Sequence, residues 1–440
     1  MPHPSRAQRG GRRGRSVTRR WCLPPAITRD ENESLDYSDI LSEFNGDVGL
    51  LLWMAARNVT LWASVEPEHR AGLFDAKGAQ RLQEAFAGVK LDARVEMALM
   101  QLNVLLTDPD TIEPDTVELM CIDLSKWAEE RMMLGSAIAF AQAAALAQPE
   151  NPKPAVRVGQ LALRSGTRSA RAETWVRRAI GLARRRKEWD SYTVAYITLA
   201  DIYIERGKFA AASTFLTTAR RAARRHGLLQ MRGEALHRLL RIKMGQGELA
   251  EARQLSKLAL RAYGRTHPGI PDLLLDTAEL MTLTGAHLRS IALLRRLLVG
   301  VDQRARRARI LAIMARAAAG AVVSAEATVA KPTKRRGTAE PAQPKADAPG
   351  LRVGRETYEQ AWSDAWLLVT GPAAAKDPAI LLDLARAAAV IRDTPRLDQA
   401  ARLARSRLPA RIPGLPSVTM LSALDDLTSE FIRDKGPGAE

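Results

Sequence analysis

The sequence predicts an all-α fold built from repeated two-helix units, and three observations carry that prediction. Ala and Arg dominate the 440 residues, aromatic residues make up only 5%, and the period-two alternation that marks β-strands is scarce. Apolar residues recur three and four positions apart through most of the chain, which is the spacing of one buried helix face. Gly207, Gly247 and Gly285 fall 40 and 38 residues apart, each just after an apolar helical stretch. Glycine there permits the left-handed backbone that ends one helix and starts the next. A single two-helix unit cannot bury its apolar face, so neighbours must stack beside it. The expected architecture is therefore an α-solenoid of helical hairpins with an N-terminal helical region.

Residues 1–29 read as a disordered basic tail, because Arg, Gly and Pro occur there without apolar periodicity. An acidic helical region follows over 34–112. Within it Val48, Leu51, Leu52, Ala55, Val59 and Trp62 share one helix face. Pro67 suits the first turn of a short helix. Asp92 is placed to cap the next one, whose stripe is Val95, Leu99, Leu102 and Leu106. Trp53 and Trp62 stand nine residues apart on roughly one side, as core residues or as an exposed docking surface. The solenoid proper is expected over 114–318. A flexible linker rich in Ala, Pro, Lys and Thr is expected over 320–352, and a C-terminal hairpin with a capping helix over 353–435. In that last region Tyr358, Trp362, Trp366 and Val369 define one amphipathic helix, and Leu421, Leu424, Leu427 and Phe431 define the cap.

The clearest repeat is YITLADIYIERGKFAAASTFLTTA, Tyr196–Ala219. Its large residue at 196, Leu199-Ala200, Tyr203, Gly207, Ala212, Leu216 and Ala219 resemble the tetratricopeptide-repeat pattern almost position for position. Looser copies include Ala137, Ala141, Ala144 and Pro149, then Leu161-Ala162 with Ala172, Val176 and Ala179. Others follow at Leu236, Leu239, Gly247, Leu249, Ala252 and Ala259, and at Leu274, Ala278, Met281, Gly285, Leu294 and Leu297. The period exceeds the common 34 residues, so this looks like the degenerate repeats of bacterial regulatory and adaptor proteins, with helices longer by about a turn. The resemblance covers roughly 114–300 and implies a right-handed α-solenoid. It implies that the first helix of each pair lines a concave groove, which carries over to Ile197, Asp201 and Ile204, then Glu234, His237 and Arg241, then Asp272, Leu275 and Glu279. That mixture of apolar and charged groups suits an extended peptide or a helix. The Lys/Asn set with which some members hold a C-terminal carboxylate is missing.

Charge is unevenly distributed within the net +17. Residues 30–131 hold 21 acidic against 8 basic side chains, whereas residues 164–265 hold 8 acidic against 23 basic. Arg184, Arg185 and Arg186, then Arg220, Arg221, Arg224 and Arg225, then Arg261 and Arg265 all fall in or near the second helix of consecutive units. Stacking in register would align them as a basic edge for nucleic acid or an acidic protein surface. Cations at helix C-termini also offset the macrodipole, by roughly 0.3–1 kcal/mol each, without any ligand.

No constellation for chemistry emerges. The six histidines lack metal-binding spacing, the two cysteines (Cys22 and Cys121) are far apart, and no phosphate loop or nucleophile elbow occurs. No metal or other cofactor is expected. No uncharged apolar run of membrane-spanning length is present and the basic N-terminus lacks an apolar core behind it, so neither membrane nor secretion is expected. The sequence reads as a cytoplasmic, non-enzymatic scaffold or adaptor that binds another protein or a peptide segment in its groove. A nucleic-acid-associated regulator using the Arg tail and Arg edge is the alternative.

Overall fold

A computed structural model of the chain describes residues 37–75, 91–166, 169–329, 349–371, 377–407 and 422–429, with residues 77, 78, 80, 84 and 89. The basic tail and Cys22 lie outside these residues. Every regular element among them is helical, and the fold is an all-α solenoid of successive hairpins. Contacts divide the chain into two compact units, Met1–Ile202 with Arg221–His226 and Tyr203–Arg220 with Gly227–Glu440.

The first unit begins with α1 (Ser38–Glu43), α2 (Gly46–Ser64) and α3 (Ala93–Thr107). A 3₁₀ turn at Pro67–His69 separates the last two, where the sequence suggested a short helix. Trp62 is fully buried, donates Nε1–H to the Pro109 carbonyl at 2.8 Å, and lies under the Arg70 guanidinium at 3.7 Å. Trp53 is half-buried beside Arg57, so the two tryptophans differ in role. Asp92 accepts from Arg94 N–H and caps α3 as expected.

Two hairpins follow, α4 (Pro114–Glu130) with α5 (Leu134–Ala147), and α6 (Pro152–Arg164) with α7 (Ser169–Arg186). Helix α5 is Ala-rich and buried nearly all round, since small side chains let α2, α4 and α6 approach it together. Its first turn is capped from outside: the Glu43 carboxylate accepts from Gly135 N–H at 2.8 Å and Ser136 N–H at 2.7 Å. Cys121 is a buried free thiol whose pKa burial pushes up, away from reactivity.

Next come α8 (Trp189–Glu205) and α9 (Phe209–Arg225), through which the division between units runs. The second unit continues with α10 (Leu229–Gly245), α11 (Leu249–Tyr263), α12 (Ile270–Leu283) and α13 (His287–Leu298). Gly207, Gly247 and Gly285 adopt φ of +70°, +76° and +77°, the left-handed turns anticipated from their spacing.

Helix α14 (Arg304–Val329) runs 26 residues and carries into the segment read as linker. Residues 320–329 stay helical because Ala321 and Val322 are buried on α15 (Pro349–Thr370), which starts before the expected linker ends. Residues 330–348 lie outside the described chain. Helix α14 is also long and apolar enough to cross a membrane by length and composition. Here it is a core helix, in contact with α12, α13, α15 and α16 (Pro378–Val390). One apolar cluster joins α12–α14 to Tyr358, Trp362, α16, Leu397 of α17 (Thr394–Arg407) and Leu424 of the helical stretch 422–429. The C-terminal hairpin therefore packs on the preceding repeats within the second unit.

Candidate functional site

In the second unit, the helices α10, α12, α14 and α16 bring charged side chains together on one face. Arg241 comes from α10, Asp276 and Glu279 from α12, Arg309 and Arg316 from α14, and Asp383 and Arg386 from α16. The spacing explains the shared face. Residues three, four or seven apart project from one side of a helix, while the intervening Leu and Ala side chains enter the core. Asp276–Glu279, Arg309–Arg316 and Asp383–Arg386 all obey it.

All of these groups except Asp383 line an open cleft of about 480 Å³, whose walls also include Met244, Gly245 and Leu283. Two ionic centres organise it. In the first, Asp276 is 9% exposed and accepts from His237 Nε2–H at 2.9 Å, while Arg241 and Arg309 stand farther off at 3.7 and 3.9 Å. A carboxylate only accepts, so His237 carries its proton on Nε2, and Nδ1 is left to accept the Tyr263 hydroxyl at 3.3 Å. Burial, with nearby Glu234, Asp272 and Asp276, pushes the Tyr263 pKa up, so the phenol keeps its proton.

In the second centre, Arg316 donates to Asp383 at 3.0 Å and to Glu279 at 3.3 Å, and Arg386 approaches Asp383 at 3.6 Å. Burial and the Asp383 charge push the Glu279 carboxyl above its ordinary range, against the pull of Arg316. Arg306 and Asp272 add an exposed pair at 2.5 Å on the same two helices, α14 and α12. Pairs of opposite charge thus run from α10 to α12, from α12 to α14 and from α14 to α16.

The residues expected in the groove divide under this geometry. Arg241 and Glu279 line the cleft, and His237 is tied to the cleft carboxylate Asp276. Glu234 lies near His267 at 4.0 Å and pairs with Arg238 at 3.5 Å; Asp272 is exposed and pairs with Arg306. Leu275 is a core residue at 4% exposure, and so is Ile197 in the first unit at 3%. Leu275 falls one residue short of Asp276, which lines the cleft, and a helix turns about 100° per residue. Asp201 and Ile204 are half-buried. Asp276, Arg309, Arg316, Asp383 and Arg386 were not anticipated. Their signal was present as acidic and basic residues three or seven apart on successive apolar helices.

The basic clusters are partly consumed by pairing. Arg185 pairs with Glu150, and Arg186 with Glu188 at 2.7 Å. Arg184, Arg221, Arg224 and Arg225 are exposed in the first unit, where Trp189 stacks on His226 at 4.4 Å between the ends of α7 and α9. Arg261 and Arg265 are exposed and Arg220 half-buried in the second unit. Among the described residues, no group of three or more His, Cys, Asp or Glu side chains is arranged to hold a metal ion.

No family model matches this chain, and no curated protein matches it. Solved structures do. One is the crystal structure of a Rap protein complexed with competence and sporulation factor, at 11% identity and a TM-score of 0.41, covering 89% of this chain and 100% of that one. Another is a circular tandem repeat protein with novel repeat topology, at 15% identity and a TM-score of 0.19, covering 88% of this chain and 97% of that one. The helical-repeat fold accordingly rests on this chain's own helices and on the packing between them.

Proposed function

We propose that this protein is a non-enzymatic interaction scaffold of the tetratricopeptide-like kind that holds a segment of another protein against α10, α12, α14 and α16. The observation that carries the reading is the open cleft of about 480 Å³, lined by four alternate helices with both charge signs and with apolar Met244 and Leu283. That volume falls within the range of about 300–1,000 Å³ common for binding pockets, and side chains drawn from four stacked helices suit a ligand that runs across them. The test is affinity selection of protein fragments on the full chain, with each hit re-measured on Arg241→Glu. A tenfold or larger loss is expected; undiminished binding of every hit would remove the cleft from the proposal.

A second reading draws on the first unit. Arg184, Arg224 and Arg225 are exposed at helix ends beside the Trp189–His226 stack, a combination suited to a phosphate backbone. Duplex DNA binding that weakens steeply with salt would support it. Absence of binding at low salt would eliminate it.

A further inference from the structure

The geometry points to an acidic peptide segment as the occupant of the cleft, with two carboxylate side chains three residues apart on one face of a polyproline-II-like extended chain. This rests on the proposal that the cleft holds a protein segment. Four arginines line the cleft against two carboxylates, with Asp383 a third acid at its second ionic centre. The arginines are unequally engaged. Arg316 makes short hydrogen bonds to both Glu279 and Asp383, and its side chain is only 12% exposed. By contrast Arg241, Arg309 and Arg386 stand 3.6–3.9 Å from their nearest carboxylates, too long for good hydrogen bonds. Their guanidinium N–H groups remain available, and a fork of such donors matches a carboxylate.

The spacing of the two centres sets the ligand's spacing. Arg309 and Arg316 mark the centres on α14 and are seven residues apart, so about 10 Å separates them along the helix axis. A polyproline-II chain advances about 3.1 Å per residue with three residues per turn, so residues three apart cover about that distance and project from the same side. One acid would meet Arg241 and Arg309, and the other Arg386. Met244 and Leu283 give the intervening residues an apolar wall. Among the described residues no aromatic ring lines the cleft, which favours a peptide over stacked bases.

The experiment is a selection of random nine-residue peptides on the full-length protein, followed by fluorescence anisotropy on individual sequences. Selected peptides should be enriched in two Asp or Glu residues separated by two others. Replacing either acid by Gln, or placing the two acids side by side, should weaken binding about tenfold or more. Arg309→Gln and Arg386→Gln should each cause a comparable loss with the circular-dichroism melt unchanged. Peptides selected without an acidic pair would overturn the inference and leave the scaffold reading standing. So would acidic peptides that bind the Arg309→Gln/Arg386→Gln protein as well as the parent. A selection that yields no binding peptide would overturn both.

Discussion

Arg316→Met should open the second ionic centre and expose how much of this region's stability depends on it. Methionine keeps most of the apolar stem while deleting the charge, so the change isolates the guanidinium. Arg316 and Asp383 are 12% and 11% exposed, and Glu279 is 22% exposed, so the substitution leaves two carboxylates facing each other with little water to screen them. Removing one partner of a buried pair typically costs about 3–5 kcal/mol. The lower end applies here, because Glu279 already has a raised pKa and relieves the repulsion by taking up a proton. The sign of the pH dependence follows. A carboxyl whose folded pKa lies above its unfolded value contributes stability at low pH and loses it as pH rises through the folded pKa. Without Arg316 that pKa rises further, so the variant should be more damaged at pH 8 than at pH 5. Hydrogen exchange of α14 and α16 amides reads this regional opening without requiring the whole chain to unfold in one step. A loss of about 3 kcal/mol corresponds to roughly a hundredfold fall in protection. Adding Asp383→Asn should restore most of it. A fall of under fivefold, equal damage at both pH values, or no rescue would refute the assignment of a buried ionic centre.

Three other outcomes follow from local geometry. Gly233→Ala places a Cβ 2.5 Å from the Tyr263 ring, so overpacking of about 1–3 kcal/mol is expected, with displacement of the Tyr263–His237 contact visible in the histidine ring resonances. Glu43→Ala removes the acceptor for Gly135 and Ser136 N–H and should cost about 1 kcal/mol, read as faster exchange at the start of α5. Gly207→Ala should cost about 1–2 kcal/mol in a thermal or urea melt, since φ is +70° and the surrounding space is open. In that case the penalty is backbone strain alone, and Gly207→Asn should be milder.

The repeat was legible because its signals are local. Gly207, Gly247 and Gly285 announce their turns through a backbone requirement, and Asp92 announces a helix start through a cap. The end of α14 was not legible in this way. AEATVAKPTKRRGTAEPAQPKADAPG has linker composition throughout, yet its first residues stay helical because Ala321 and Val322 are buried on α15, a tertiary fact that no window on the sequence carries. Arg241 and Glu279 were placed on the cleft by position alone, whereas Leu275 missed it for a different reason. Counting positions from a degenerate repeat fixes the helix but leaves its rotation uncertain by one residue, and one residue moved Leu275 into the core and its neighbour Asp276 onto the cleft.

Helix α14 shows why holding the fold and holding a ligand are separable tasks in one cleft. Apart from Arg309 and Arg316, its stretch Ala308–Ala319 is buried apolar surface. A helix so enclosed has few positions on which charge is tolerable, and both arginines occupy them, seven residues apart. They have diverged in engagement. Arg316 is fixed between two carboxylates by short hydrogen bonds, so its removal falls on stability. Arg309 is 36% exposed and 3.9 Å from Asp276, whose close partner is instead His237 at 2.9 Å. Because Asp276 is already satisfied by His237, losing Arg309 leaves no orphaned buried charge and should cost little stability. An incoming carboxylate would find the Arg309 donors open, and charge-assisted hydrogen bonds of this kind are stronger than neutral ones. Arg316→Met should therefore disturb folding more than peptide affinity per remaining folded molecule, and Arg309→Gln should do the reverse. If both substitutions moved exchange protection and affinity by the same proportion, the cleft would be a single structural salt-bridge network and the division drawn between its two centres would not hold.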